Sequence, residues 1–171
     1  MPSRLSNLGG SLSRRFERIG DLADVAKAIS ALQRAVQLTP DGHADMPSRL
    51  SNLGGSLLHR FERTGDLADV ANAISAHQRA VQLIPDGHGD MPSLLSGLGG
   101  SLLRRFKSTG NLNDISNAIS VYQRAVQLTP DGHADLPSWL SNLGHSLLWR
   151  SERTGDFSDY VAGTSSYRQS E

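Results

Sequence analysis

The chain reads as an all-α solenoid of antiparallel helix pairs, and three observations carry that reading. The phrase "QRAVQLTPDGHAD" stands at residues 33–45 and again, unchanged, at 123–135, with the near-copy "QRAVQLIPDGHGD" at 78–90. The copies lie in blocks of 45 residues that open at Met1, Met46, Met91 and Leu136, each followed by Pro-Ser. Apolar residues recur at helical spacing in every block, and no segment alternates with a strand's period of two.

The first two blocks agree at 38 of 45 positions and the second and third at 32 of 45, so the period is constant and free of insertions. A period of this size marks a stacked array, because one helix pair cannot bury its apolar face alone. The expected organisation is repeat 1 over 1–45, repeat 2 over 46–90, repeat 3 over 91–135 and a partial, degenerate repeat 4 over 136–171, forming one continuous domain. Met1 occupies the register that Met46 and Met91 fill inside the array, which suggests a fragment of a longer one.

The second block shows how each unit is built. Leu50, Leu53, Leu57 and Phe61 fall on one stripe of a helix over 47–63. Asp45 is the expected N-cap, and Pro47 suits a first turn, where its missing N–H would be unpaired anyway. Gly65 ends the helix in the left-handed conformation, Asp66 caps the next one, and Asp69 is expected to complete an acidic variant of the capping box. In the second helix Leu67, Val70, Ile74 and Val81 make an apolar stripe, with Ala73, Ala76 and Ala80 allowing close packing. That helix should end near Leu83, before Pro85 blocks continuation.

The Gly54-Gly55 pair falls inside the first helix, where glycine costs about 0.8 to 1.0 kcal/mol relative to alanine. Close approach of the neighbouring helix at Gly54 is the expected reason. A phosphate-binding loop is excluded on spacing, because no lysine follows in the required pattern.

These residues resemble the tetratricopeptide repeat (TPR) family, whose signature is W-x-x-L-G-x-x-Y followed by A-x-x-x-F-x-x-A-x-x-x-x-P. Leu50, Leu53, Gly54 and Leu57 match the first half, and Ala73, His77, Ala80 and Pro85 the second. Leu5, Leu8, Gly9, Leu12, Ala28, Leu32, Ala35 and Pro40 do so in block one, as do Leu95, Leu98, Gly99, Leu102, Ala118, Tyr122, Ala125 and Pro130 in block three. The family's unit is about 34 residues, and the longer one here looks like the kinesin light chain variety and like the arrays of some fungal proteins. The resemblance implies a right-handed superhelix whose first helices line a concave groove that binds a peptide or a helix of another protein, without catalysis or cofactor.

On that resemblance the inward positions include Asn7 and Arg14, Asn52 and His59, Arg104, and Asn142, His145 and Trp149. Asn7, Asn52 and Asn142 form a ladder interrupted at Gly97. A carboxamide both donates and accepts, so such a ladder can bond a bound peptide's backbone without reading its side chains. It resembles the asparagine ladders of kinesin light chain and of O-linked N-acetylglucosamine transferase. The alternative is that these asparagines bond a neighbouring helix.

Other chemistries find little support. The formal charge is zero, with 17 basic and 17 acidic residues, so no overall field draws the chain to nucleic acid or to an anionic membrane. RNA recognition would need a basic concave face with stacking residues, for which only Arg14, Arg104, His59 and Trp149 come into question. The absence of cysteine excludes disulfides, thiolate nucleophiles and cysteine-ligated zinc. His43, His88 and His133 lie in "DGH-x-D" loops, and one such loop offers one imidazole and two carboxylates. Asp and Gly favour turns, however, and the copies sit on successive layers, so these loops are read as turns and caps with no metal. No Ser-His-acid set is assignable, and no catalytic residue is expected. With no signal-peptide core and no run of 18 apolar residues, the expected location is cytoplasmic.

The fourth block puts Gly163 and Thr164 where earlier blocks have Ala and Ile, so its second helix should be short or frayed. Trp139, Trp149 and Phe157 are expected to add apolar surface at that end. The rival function is therefore self-association through uncapped ends, as a structural segment of a longer array.

Overall fold

The computed structural model describes residues 1–170, and among these there are eight helices and no strand. They are α1 (Pro2–Ile19), α2 (Leu22–Gln37), α3 (Met46–Thr64), α4 (Leu67–Gln82), α5 (Met91–Thr109), α6 (Leu112–Gln127), α7 (Leu136–Thr154) and α8 (Phe157–Ser170). The chain forms two compact units, α1 to α4 as far as Pro85 and α5 to α8 from Asp86 on. In the first unit α1 pairs with α2 and α3 with α4, and α3 also packs on α1 and α2. In the second, α5 pairs with α6 and α7 with α8, and α7 packs on α6.

Punctuation residues set the helix ends. Gly20, Gly65, Gly110 and Gly155 close the first helices of the four hairpins with φ between 71° and 78°, a left-handed turn that glycine enters without a Cβ clash. One residue later Asp21, Asp66, Asn111 and Asp156 begin the second helices, each accepting a backbone N–H two residues on at 2.9 to 3.0 Å. These caps satisfy donors that have no partner within the helix.

Two caps expected from the sequence are not made. Asp45, Asp90 and Asp135 stand at the starts of α3, α5 and α7 without a side-chain cap bond. All three stand in helical conformation, with φ between −80° and −91°, where a capping residue is extended, and Nδ1 of His43, His88 and His133 accepts their backbone N–H at 3.1 to 3.2 Å. The Asp45 carboxylate turns instead to Nη2 of the buried Arg49, at 2.7 Å. Asp69 likewise does not close a capping box, because Thr64 Oγ1 takes the Asp66 N–H at 3.3 Å. The Asp69 carboxylate is buried and held by Arg60.

The core of each of the first three hairpins is a knob over a glycine. A Cβ on Gly54 would sit 2.6 to 2.8 Å from the His77 ring, one on Gly9 2.5 Å from Leu32 Cγ, and one on Gly99 2.7 Å from Tyr122 Cζ. Leu32, His77 and Tyr122 are all buried there. Burial disfavours the charged forms, pushing the His77 imidazole down to about 4 and the Tyr122 phenol up to about 12. Leu67, read as part of the core stripe, is half exposed, as are Leu22 and Leu112 at the same register. Val81 is partly buried.

The fourth hairpin departs from expectation. α8 runs unbroken for 14 residues through Gly163 and Thr164. The glycine pair explains it: a Cβ on Gly144 would meet Gly163 O at 2.9 Å, and one on Gly163 would meet Gly144 O at 3.0 Å. The two backbones therefore touch, and contact with α7 supports α8 where its own propensity is weak. Trp139 does not add surface, because it is 6% exposed with its ring 5.5 Å from that of His133. The exposed apolar side chains of this hairpin are Phe157, Tyr160, Val161 and Tyr167.

Candidate functional site

In the first unit, α1 and α3 lie side by side and enclose a groove of about 500 Å³. Its walls include Asn7, Arg14, Asn52 and His59, four of the residues picked out in the sequence, with Gly10 and Gly55 between them. A Cβ at Gly10 or Gly55 would meet nothing within 4 Å, so the two glycines open the groove floor. Asn7 and Asn52 are exposed, and their carboxamides make no hydrogen bond among the described residues. The groove base is fixed by Ser13 and Ser56, whose hydroxyls meet at 2.6 Å, and by Ser56 donating to Asn52 O at 3.0 Å.

The two helices are pinned at the far end of the groove. His59 stacks on Phe16 with ring centroids 6.5 Å apart, and its Nδ1 lies 3.4 Å from Glu17 Oε1, outside hydrogen-bond geometry. Phe16, Glu17, His59, Glu62 and Arg63 line a smaller pocket of about 240 Å³ that shares Glu17 and His59 with the groove. Arg63 Cζ stands 5.9 Å from the centroid of the Phe16 ring.

In the second unit the remaining residues keep different company. Asn142 is half-buried on α7, and its carbonyl accepts from Ser146 Oγ at 2.8 Å. His145 stacks on Trp149 at 5.9 Å and meets the edge of Tyr167 at 5.3 Å. Arg104 Nη1 donates to Gly100 O at 3.3 Å on its own helix. Trp149 lines a pocket of about 250 Å³ with Phe106, Lys107, Glu152 and Arg153, and the Lys107 Nζ lies 3.8 Å from its ring centroid.

Beside these groups runs a repeated ion pair that spacing alone could have revealed. Arg15, Arg60, Arg105 and Arg150 each grip an aspartate nine residues on, Asp24, Asp69, Asp114 and Asp159, through Nε and Nη2. All four aspartates are buried. The pair ties the end of each first helix to the start of the second and so orients the groove-lining face.

No family model matches the chain, and no curated protein matches it by sequence. Solved structures match it by shape over 99% of its length. One is a kinesin-light-chain-like protein of Podosopora anserina with nearly identical TPR-like repeats, at 13% identity, a TM-score of 0.66 and 85% coverage of that chain. MamA matches at 19% identity with a TM-score of 0.64 over 75% of its chain. The DHF58 filament matches at 14% identity with a TM-score of 0.61 over 90% of its chain. At such identities the likeness speaks for the fold, and in fold the chain is a TPR-like, all-α helical repeat protein.

Proposed function

We propose that the chain is a non-enzymatic interaction scaffold that binds an extended peptide or a helix of another protein in the groove between α1 and α3. The observation that carries this reading is the pair of exposed carboxamides, Asn7 and Asn52, at one register of the same 500 Å³ groove. A helix leaves few backbone groups for a ligand, whereas a carboxamide both donates and accepts and so matches a peptide's C=O and N–H. Arg14 and His59 add polar contacts, and in the second unit Asn142, Arg104, His145 and Trp149 are proposed for the corresponding role. A cytoplasmic setting belongs to the same reading.

Selection of a phage-displayed random peptide library on the chain tests it. Selected peptides should lose affinity about fivefold or more with Asn7→Ala and Asn52→Ala, as expected for about 1 kcal/mol per hydrogen bond. The thermal unfolding of both variants should match that of the parent.

A second reading, self-association, rests on the exposed Phe157, Tyr160, Val161 and Tyr167 of α8, on Leu8 and Ile19 of α1 and on Met1 before it. That one of the structures with this fold is a filament fits it. Sedimentation over a hundredfold range of concentration separates the two, since only self-association makes the mass climb.

A further inference from the structure

The pocket at the end of the groove occurs twice at the same register. In the first unit it is formed by Phe16, Glu17, His59, Glu62 and Arg63, and in the second by Phe106, Lys107, Trp149, Glu152 and Arg153. Each residue of the first set corresponds to one of the second by a shift of two 45-residue blocks. Both pockets have a phenylalanine, a second ring, a glutamate and an arginine. The decisive difference is Glu17 against Lys107.

In the second unit the pocket is supplied with a cation from within, since the Lys107 ammonium lies 3.8 Å from the Trp149 ring centroid, well inside cation–π range. Its wall also carries the Glu152 carboxylate. In the first unit the ammonium is replaced by the Glu17 carboxylate, half exposed and with His59 Nδ1 as its neighbour at 3.4 Å. Phe16 and His59 remain as the ring walls. Arg63 lies over the other ring, with Cζ 5.9 Å from the Phe16 centroid and Nη2 reaching the end of α1, where a Cβ on Gly20 would meet it at 2.6 Å; it does not take the ammonium's place at His59, the counterpart of Trp149. Arg153 shares the second pocket with Lys107, so an arginine at this register leaves room for an ammonium.

We infer that the Phe16–Glu17–His59–Glu62 pocket receives a lysine-type ammonium side chain from the bound partner, occupying the place that Lys107 fills from within the second unit. The shared walls Glu17 and His59 make pocket and groove continuous, so the basic residue belongs to the same peptide whose backbone meets Asn7 and Asn52. In that sense the inference rests on the groove reading and adds the chemistry that selects the ligand: one carboxylate for charge and ring faces for the polarised methylenes and ammonium.

The test uses a single-residue probe on the full chain. Nα-acetyl-lysine methylamide is titrated at pH 8 while the imidazole resonances of His59 are followed, with Nα-acetyl-norleucine methylamide as the uncharged comparison. The lysine probe should shift His59 saturably and the norleucine probe should not. Glu17→Lys, which copies the arrangement at Lys107, should weaken the lysine probe about fivefold or more while keeping the helical circular dichroism. In the reciprocal variant, Lys107→Glu, the second pocket should gain a response, read as a lysine-dependent change in Trp149 fluorescence. Equal shifts with norleucine, no shift at His59, undiminished binding in a folded Glu17→Lys, or no gain in Lys107→Glu would each overturn the assignment. The probe needs no peptide backbone in the groove. A chain whose selected peptides ignore Asn52→Ala but whose His59 responds to lysine loses the groove and keeps the pocket, and the converse result removes the pocket alone.

Discussion

The Arg60 guanidinium holds the buried Asp69 carboxylate through two parallel hydrogen bonds, Nε to Oδ2 at 2.7 Å and Nη2 to Oδ1 at 2.5 Å. Asp69 is 2% exposed, so this carboxylate has exchanged its water for one guanidinium. The arrangement recurs in the other three hairpins, which makes it part of how each first helix is set against its second. A bidentate pair fixes direction as well as distance, as a lysine could not.

Removal of Arg60 should therefore cost far more than loss of a surface ion pair. Arg60→Ala leaves a buried charge without a partner and should destabilise by about 3 kcal/mol, measured by urea denaturation, with Arg60→Lys intermediate. A loss under about 1 kcal/mol, the range of exposed pairs, would show that water reaches Asp69 and that the pair does not lock the hairpin.

The same pair in the first hairpin gives an acid limb. The hydrogen bonds from Arg15 hold the Asp24 carboxyl below its ordinary value of 3.8. A carboxyl that is a stronger acid in the folded state stabilises that state above the ordinary value, and the contribution is lost as pH falls through the lower, folded value. Stability should thus decline below about pH 4, and Arg15→Met should remove part of that decline. A chain whose acid unfolding is the same with and without Arg15 would contradict the assignment.

His77 predicts a second, separate pH dependence. Its folded value near 4 lies below the ordinary 6.5, so the unfolded chain binds the extra proton between these limits. Stability should be full above pH 6.5 and fall towards pH 4, by about 2 kcal/mol at pH 5. His77→Leu, which installs the residue that block one carries over Gly9, should flatten the profile between these limits. Melting temperatures at pH 5 and pH 7.5 for the two proteins decide it, and an unchanged difference would place the titration elsewhere.

The paired glycines should respond in opposite directions. Gly54→Ala drives a methyl group to 2.6 Å from the His77 ring and should destabilise by about 1 to 3 kcal/mol. Gly55→Ala, with nothing within 4 Å, should stabilise the helix by about 0.5 to 1 kcal/mol. Equal effects in chemical denaturation would mean that α4 does not approach α3 at Gly54.

Much of this architecture is legible in the sequence, because the residues that end helices act locally. Gly65 and Asp66 turn and cap the chain wherever they occur, and the cost of a mid-helix glycine led directly to the contact at Gly54. The misreadings share a cause as well: each residue had both a local and a tertiary option. Asp69 stands where a capping box would use it, but a guanidinium nine residues back binds more strongly than a single backbone N–H. The Asp45 carboxylate binds the buried Arg49 instead of capping α3. Leu67 fits the helical stripe yet is half exposed, which periodicity does not reveal. Gly163 reads as a helix breaker until Gly144 is seen against it. Of the site, the groove members Asn7, Arg14, Asn52 and His59 come from the family resemblance laid on the helical register, whereas the Phe16–Glu17 end pocket needed the neighbouring helix to be in place.

The central claim is that the carboxamides of α1 and α3 hold a peptide backbone. Fluorescence anisotropy of one selected peptide, titrated with the parent chain and with the Asn7→Ala, Asn52→Ala double variant, tests it most directly. The account predicts saturable binding by the parent and a loss of about tenfold or more in the double variant, at unchanged helical content. Equal affinity in the two proteins would contradict it and move the binding surface off this groove.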